Sequence, residues 1–420
     1  MEFGQFIAVP FCAQLLAEGG AHVIKVESLE GDPVRHLAPL APGETRHFIS
    51  RNRGKHSLPL HLRHAGARPV IERLLARADV VLTNFRPGFA EELGLDYATL
   101  AARYPRLIVG NVSAFGRRGP DARLAGMDMV VQARSGLMAT LGRVSEDGVP
   151  TAGDAPVADY MCAMTLAFGI TAALLRRERT GRGGEVDVAL LMAALLAQNN
   201  SFVRVDSTDA AAHAATLARL TELRAAARPY AEQAAVMPTT RTPGMVGVYY
   251  RTYATRDAAI AVACVSPGLQ RTFMKATGLE DSAHERPIRD REALVRHYAA
   301  LRVRAEAALA SHTTAEWKRV FDAHGVPAAG VAFSLELFDD PQALANGLFH
   351  DLAHPTVGRV RVLAPPVGLD GDGFRAAPAT RPFGSETTTI LEGLGFGPDE
   401  VAGLLDGGVT QQAKRAGNPA

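Results

Sequence analysis

Cysteine is scarce in this chain: three residues in 420, Cys12, Cys162 and Cys264, lie far apart with no CxxC spacing. That excludes a disulfide framework and a cysteine-built zinc site, no metal is expected, and a reducing cytoplasm fits best. An excess of one charge is also lacking. Forty-five Lys and Arg stand against 44 Asp and Glu, a formal net charge of +1, so no broad field would recruit nucleic acid or an anionic membrane. Any anion site must be local. Long apolar runs are missing too: the run 188–197 is only about ten residues long, so no membrane span is expected there. A longer run around residue 166 starts at Asp159 and ends in Arg176-Arg177, and none is expected there either. No basic stretch with a cleavage site opens the chain, so export is not expected. No GxGxxG follows a first strand, which argues against a nicotinamide enzyme; Gly393-Leu-Gly-Phe-Gly397 follows a helix and reads as a turn. No GxSxG is present, and Arg134-Ser-Gly136 lacks the first glycine of such an elbow, which argues against a serine hydrolase.

What is present is a composition fit for two domains with proper cores, 47% hydrophobic and 21% charged. Val/Ile-rich runs at 22–26, 79–82 and 107–112 alternate with helix-like stretches at 66–77 and 97–104. This alternation predicts an α/β fold with a parallel sheet and covering helices. The apolar run 186–199 reads as a helix, and the Ala-rich stretch 206–235 as a helical connector. Met237-Pro-Thr-Thr-Arg-Thr-Pro-Gly244 marks a boundary. Beyond it, strands at 246–253 and 258–265 and helices at 267–277, 290–311 and 314–323 predict a smaller α+β unit. The expected division is 1–205 for the large domain, 206–240 for a helical linker, 241–335 for the small domain, and 336–420 for a return segment completing the large one.

Asp159 opens the apolar run Asp159-Tyr-Met-Cys-Ala-Met-Thr-Leu-Ala-Phe, the pattern of an aspartate at the start of a buried helix. Most such aspartates only satisfy free backbone donors. The same helix end favours an ionised carboxylate, so beside an acyl carbonyl Asp159 would be a permanent, weakly basic nucleophile.

Context separates the two readings. Segments His22-Val-Ile-Lys-Val-Glu27, Gly31-Asp-Pro-Val-Arg35, Asn52-Arg-Gly-Lys55, Asn84-Phe-Arg-Pro-Gly88, Gly116-Arg-Arg-Gly-Pro120, Gly126-Met-Asp128 and Arg179-Thr-Gly-Arg-Gly-Gly-Glu-Val-Asp187 follow one another in order. In this the chain resembles the class III coenzyme A transferases and their relatives, the acyl-CoA racemases, from about Glu2 to about residue 409. The resemblance implies a Rossmann-like large domain plus a small domain in an interlocked homodimer, with the return segment rejoining the large domain. It implies coenzyme A or acyl-CoA as substrate, with no permanent cofactor, and an acyl-CoA donor and a carboxylic acid acceptor as partners. Asp159 would be the catalytic aspartate, passing through an acyl-aspartyl anhydride and an aspartyl-CoA thioester. Arg35, Lys55, Leu62, Arg63, Asn84, Phe85, Arg86, Gly126, Met127 and Asp128 would contact coenzyme A. Phosphates need basic donors and adenine an apolar slot, and crevices at the carboxyl ends of parallel strands suit the Asn84 segment.

Departures from the family pattern refine this expectation. Racemases carry a histidine where this chain has Met127, and a thioether cannot shuttle a proton at neutral pH, so two-base racemisation is disfavoured. His213 or His324 would have to substitute. Racemase or isomerase, and a non-catalytic CoA-binding relative, stand as alternatives. Met127 would pack against the acyl group, pantetheine or the core, and Asp128 would serve the thioester or cap a helix. Thr242-Pro-Gly-Met-Val-Gly247 has only two glycines where formyl-CoA transferases have a run, predicting a stiffer loop. Ile7 stands in place of a glutamine before Pro10, predicting a less polar acyl pocket, and Val9 in place of a frequent glycine, altering backbone approach. An arginine near the acyl pocket would favour dicarboxylates. Relatives begin with further residues that build a central strand; Met1-Glu-Phe-Gly supplies a stub, predicting an exposed sheet edge and an upstream start or an unstable form.

Overall fold

Val and Ile side chains alternate between two apolar layers along these strands, and that alternation builds the larger half of the molecule. A computed structural model describes residues 1–238, 242–370 and 373–413 and divides into two units. The first comprises 1–211, 223–234 and the chain from 345 on. In order it contains α1 (Ala8–Glu18), β1 (Val23–Glu27), α2 (Arg46–Asn52), β2 (Lys55–Pro59), α3 (Ala67–Leu75) and β3 (Val80–Thr83). There follow α4 (Tyr97–Arg103), β4 (Ile108–Ser113), α5 (Asp128–Ser135), α6 (Val157–Thr180), β5 (Gly184–Ala189) and α7 (Leu190–Leu196).

The strands are parallel, with Val23 opposite Lys55, Val80 opposite Ile108, and Ile108 opposite Gly184. Between β1 and β3 lie the first three residues. Glu2 N donates to Ile24 O (2.9 Å) and Val26 N to Glu2 O (2.8 Å); on the other side Phe3 N donates to Leu82 O (2.9 Å) and Leu82 N to Met1 O (3.0 Å). The stub therefore pairs on both sides, and the predicted open edge is absent at Glu2 and Phe3. The order β2-β1-(Met1 to Phe3)-β3-β4-β5 is the doubly wound arrangement, whose ligand crevice lies at the carboxyl ends where winding reverses. At the opposite, amino ends of β1 and β3 lies a cavity of about 770 Å³, lined by Met1, His22, Val80, Ile170, Leu174 and Ile390 among others.

Leu82, Ile108 and Val188 face one core with Val9, Cys12, Ala163, Leu166 and Ile170. Their neighbours Val81 and Val109 face the other with Val70, Leu74, Leu100, Leu391 and Val401. Adjacent strand residues thus serve opposite faces, and helices cover both. The run 186–199, read as one helix, is instead β5 followed by α7: Val186 and Val188 share a face at period two, and β4 offers the hydrogen-bonding edge they complete. By length and composition α6 is apolar enough to cross a membrane, with a third of its most apolar window buried. Its buried face is Ala158, Asp159, Cys162, Ala163, Leu166, Ile170, Ala173 and Arg177.

The second unit comprises 212–222 and 235–344. Strands β6 (Tyr250–Ala254), β7 (Ala259–Ala263) and β8 (Ala328–Gly330) form an antiparallel sheet in the order β8-β7-β6. Helices α8 (Pro267–Thr277), α9 (Arg291–Leu309) and α10 (Thr314–His324) accompany it, around Tyr249, Phe273, Trp317 and Phe321. The strand predicted from residue 246 begins later, because Met245–Tyr249 is a π-helical turn. A Cβ on Gly244 would stand 2.7 Å from the Tyr298 ring, so this segment is a packed turn rather than an open glycine loop. The predicted connector forms helices Asp206–Ala225 and Tyr230–Ala235 and is shared between the two units. Within the predicted boundary, 239–241 lie outside the described residues.

Candidate active site

Pro156 occupies the N-cap of α6 and has no side chain with which to satisfy the free donors there. Another element does so. Asp128 Oδ1 accepts a hydrogen bond from Asp159 N at 3.1 Å, while its other oxygen accepts from Gln132 Nε2. Asp128 is the first residue of α5, and Gly126 just before it lies against the chain leaving β4: a Cβ there would stand 2.5 Å from Ala114 Cβ and 3.1 Å from the Phe115 ring. Asp159, at the third position of α6, is thereby held at the carboxyl end of β4. Of Asp128's two predicted roles, helix capping is the one seen. Met127 is half exposed at the N-cap of α5, so it does not fill the core.

The Asp159 side chain is 8% exposed, and no hydrogen bond to its carboxylate occurs among the described residues. Burial, then the like charge of Asp128, raises its pKa to about 7, with Arg51 pulling the other way. The permanently ionised carboxylate expected from the helix end is corrected accordingly: desolvation and a neighbouring anion outweigh the dipole. Cys162, one turn along, is pushed up to about 12 by burial, which removes a thiolate as competing nucleophile.

Two residues not singled out from sequence complete this corner. Arg51, in the last turn of α2, donates through Nε to the Tyr160 hydroxyl at 3.3 Å, and its guanidinium carbon lies 5.9 Å from that ring. Tyr160 packs edge-on against Phe11 at 4.9 Å. A sequence signal existed: Arg51, Arg53 and Lys55 put three cations in five residues beside a quoted motif.

A second group gathers where β3 ends. Phe85 lies 5.3 Å from Phe3 and 5.0 Å from Phe89, and Arg63 stacks over Phe89 at 5.0 Å while holding Glu92 through two hydrogen bonds. Leu62 packs in the same apolar cluster as Phe85. Asn84 pairs with the Gln5 backbone in both directions, at 3.1 and 2.9 Å, which ties this loop to the one leaving the first residues. Arg86 is exposed and has no ion-pair partner among the described residues. β3 and β4 are neighbours, linked by Thr83 Oγ1 to Asn111 Oδ1 at 3.0 Å, so both groups share one edge of the sheet.

Arg35 and Lys55 do not join them, and this corrects their assignment as phosphate contacts. Arg35 is 2% exposed, ion-paired to Glu27 at 2.7 Å and stacked 3.5 Å over Phe48. Lys55 is buried between Glu2 (2.7 Å), Pro10 O and Asn52 Oδ1, its pKa lowered by burial to about 8. Their charges are taken up within the fold. Val9 is fully buried, and a Cβ on Gly4 would stand 2.3 Å from it, so Val9 packs the loop after the first strand rather than meeting a ligand. His213 and His324 both belong to the second unit. Among the described residues no group of three or more His, Cys, Asp or Glu is placed to hold a metal.

Comparison with known proteins identifies the family. The family model described as CoA-transferase family III matches residues 1–387. The chain is 28% identical over 96% of its length to a cinnamoyl-CoA:phenyllactate CoA-transferase of Clostridium sporogenes, covering 94% of that protein. It is 30% identical over 99% of its length to a succinyl-CoA–D-citramalate CoA-transferase of Chloroflexus aurantiacus, covering 96% of that one. Among solved structures it resembles Rv3272 from Mycobacterium tuberculosis with a TM-score of 0.73 and 26% identity, over 93% of this chain and 98% of that one.

Proposed function

The chain belongs to CoA-transferase family III, and from that premise we propose that Asp159 carries the acyl group covalently while coenzyme A passes from an acyl-CoA donor to a carboxylic acid. The observation that carries this reading is a carboxylate without a hydrogen-bond partner, held by Asp128 at the carboxyl edge of a doubly wound sheet. An Asp159 oxygen attacks the thioester carbonyl; the C–S bond breaks, leaving a mixed anhydride and coenzyme A thiolate. The thiolate then attacks the aspartyl carbonyl, releasing the donor acid and forming an aspartyl thioester. An acceptor carboxylate displaces the thiolate to give a second anhydride, and thiolate attack on its acceptor carbonyl releases the new acyl-CoA and free Asp159. Burial serves these steps, because a carboxylate in water is too well solvated to attack a thioester readily.

Phe85 and Phe89 with Leu62 offer an apolar slot for adenine, and Arg86 a cation for phosphate, with Asn84, Arg63, Gly126 and Met127 flanking the path to Asp159. Met127 supplies no second base, which supports transfer over racemisation. Three buried, unpaired cysteines support a reducing cytoplasm. A homodimer is supported by the apolar residues α6 leaves bare, Phe168 at 76% exposure foremost.

Hydroxylamine trapping tests the covalent step. With acetyl- or succinyl-CoA the protein should yield a hydroxamate at residue 159 by mass spectrometry, and Asp159→Asn should lose both adduct and exchange. Exchange that persists in Asp159→Asn refutes the mechanism.

A further inference from the structure

Six lysines and arginines are buried among the described residues, and five have a carboxylate within ion-pair distance. Lys25 has Glu2 and Asp32, Arg35 has Glu27, Arg53 has Glu18, Lys55 has Glu2, and Arg177 has Asp79. Arg51, 7% exposed, has none. Among the described residues its only hydrogen-bond partners are neutral: the Tyr160 hydroxyl at 3.3 Å and, weakly, His47 O at 3.5 Å. Nη2 has no partner among the described residues, yet it is not among the buried atoms sealed from solvent, as Nε of Arg53 and of Arg177 are. A guanidinium held this way has lost most of its water and gained no anion, a costly state that a ligand carboxylate relieves through two parallel hydrogen bonds.

The position says which carboxylate. Arg51 reaches α6 through Tyr160, the residue after Asp159, and its charge is felt at Asp159, yet the two do not form an ion pair. The guanidinium thus lies too far away to clamp the reacting carboxyl, but on the same side of the helix start. Once Asp159 is acylated it is neutral, and Arg51 still has no carboxylate within ion-pair distance among the described residues.

Resting on the reaction proposed above, we propose that Arg51 anchors the second carboxylate of the acid exchanged at Asp159, which makes the substrates dicarboxylic acids. The recognition is by charge and forked geometry; the Tyr160 hydroxyl orients the fork by accepting from Nε.

The test compares each diacid with its monoamide, which has the same shape and lacks the second charge. With acetyl-CoA as donor, succinate and glutarate should show kcat/KM at least tenfold above succinamate and glutaramate in the wild type. In Arg51→Gln that ratio should fall to within threefold of one, and Arg51→Lys should retain part of it. The ratio cancels any change at Asp159 itself. A binding arm needs no turnover: glutarate should raise Tm of the wild type more than glutaramate, and Arg51→Gln should abolish the difference. Equal use and equal binding of diacid and monoamide by the wild type overturn the proposal, as does an equal loss for both in Arg51→Gln. Diacid-selective binding without transfer to any acid would support Arg51 as the anchor and overturn the reaction instead.

Discussion

Asp159 and Asp128 are two carboxylates joined through one backbone N–H, and each sets the other's behaviour. Asp128 caps α6 and in doing so brings a negative charge to Asp159, which helps raise the latter to about 7 after the larger effect of burial. The attacking form is the anion, so the pre-steady-state rate of acyl transfer to the enzyme should rise with pH through about 7. Asp128→Asn keeps an oxygen for the cap and removes the charge, and should move that midpoint to lower pH. Folding favours the protonated Asp159, because the unfolded carboxyl titrates near 3.8; this contribution is fully present below that value and is lost as pH rises towards 7. Asp159→Asn should therefore be more stable than wild type at pH 8, by about 2–4 kcal/mol, with the difference fading by pH 4 in thermal melts. The basic residues divide just as sharply. Arg35→Met strands the Glu27 carboxylate and should cost about 3–5 kcal/mol of stability while KM for acyl-CoA in the folded protein stays unchanged. Arg86→Ala should do the reverse, raising KM severalfold with Tm unmoved. In the sequence Arg35 closes one turn-like motif and Arg86 sits within another. What distinguishes them is Glu27 and Glu44, brought to Arg35 by the fold, and such pairings cannot be read locally.

Elements whose own residues decide their state were legible. The runs at 22–26, 79–82 and 107–112 became β1, β3 and β4, and the stretch 267–277 became α8, where the structure adds a Ser266 cap accepting from Leu269 N. Elements decided by neighbours were not. β5 is a strand because β4 needs a partner, and Met245–Tyr249 curls because Tyr298 lies against Gly244. Asp159 was legible as a helix-start aspartate, whereas its elevated pKa comes first from burial in the folded chain and then from a residue 31 positions earlier. Two glycines test how far space alone decides. Gly126→Ala should force its Cβ into Ala114 and Phe115, cost about 1–3 kcal/mol, and loosen the Asp128 cap enough to slow acylation. Gly403, inside the helix Pro398–Asp406 with nothing within 4 Å of an added Cβ, should gain roughly 0.5–1 kcal/mol from alanine, with activity untouched. Denaturant midpoints for the two variants should move in opposite directions.

At the scale of the molecule, α6 is the element on which everything converges. One face carries Asp159, Leu166 and Ile170 into the core, and the other turns Met164, Phe168 and Leu175 outward at 54, 76 and 55% exposure. Those three recur at spacings of four and seven, so they form one stripe along the helix. Met192 and Leu196 of α7, which packs beside α6, are exposed as well. A soluble monomer rarely leaves such a surface bare, and its cost is removed when a second copy covers it. The proposed homodimer should therefore have twice the 44.6 kDa chain mass by light scattering. Phe168→Glu buries a charge in that contact and should shift the protein towards monomer, more so on dilution. Because the same helix carries Asp159 in its first turn, loosening it should also lower exchange activity, and raising the protein concentration should restore both mass and activity together. A Phe168→Glu protein that stays a full dimer would mean that another surface holds the two copies.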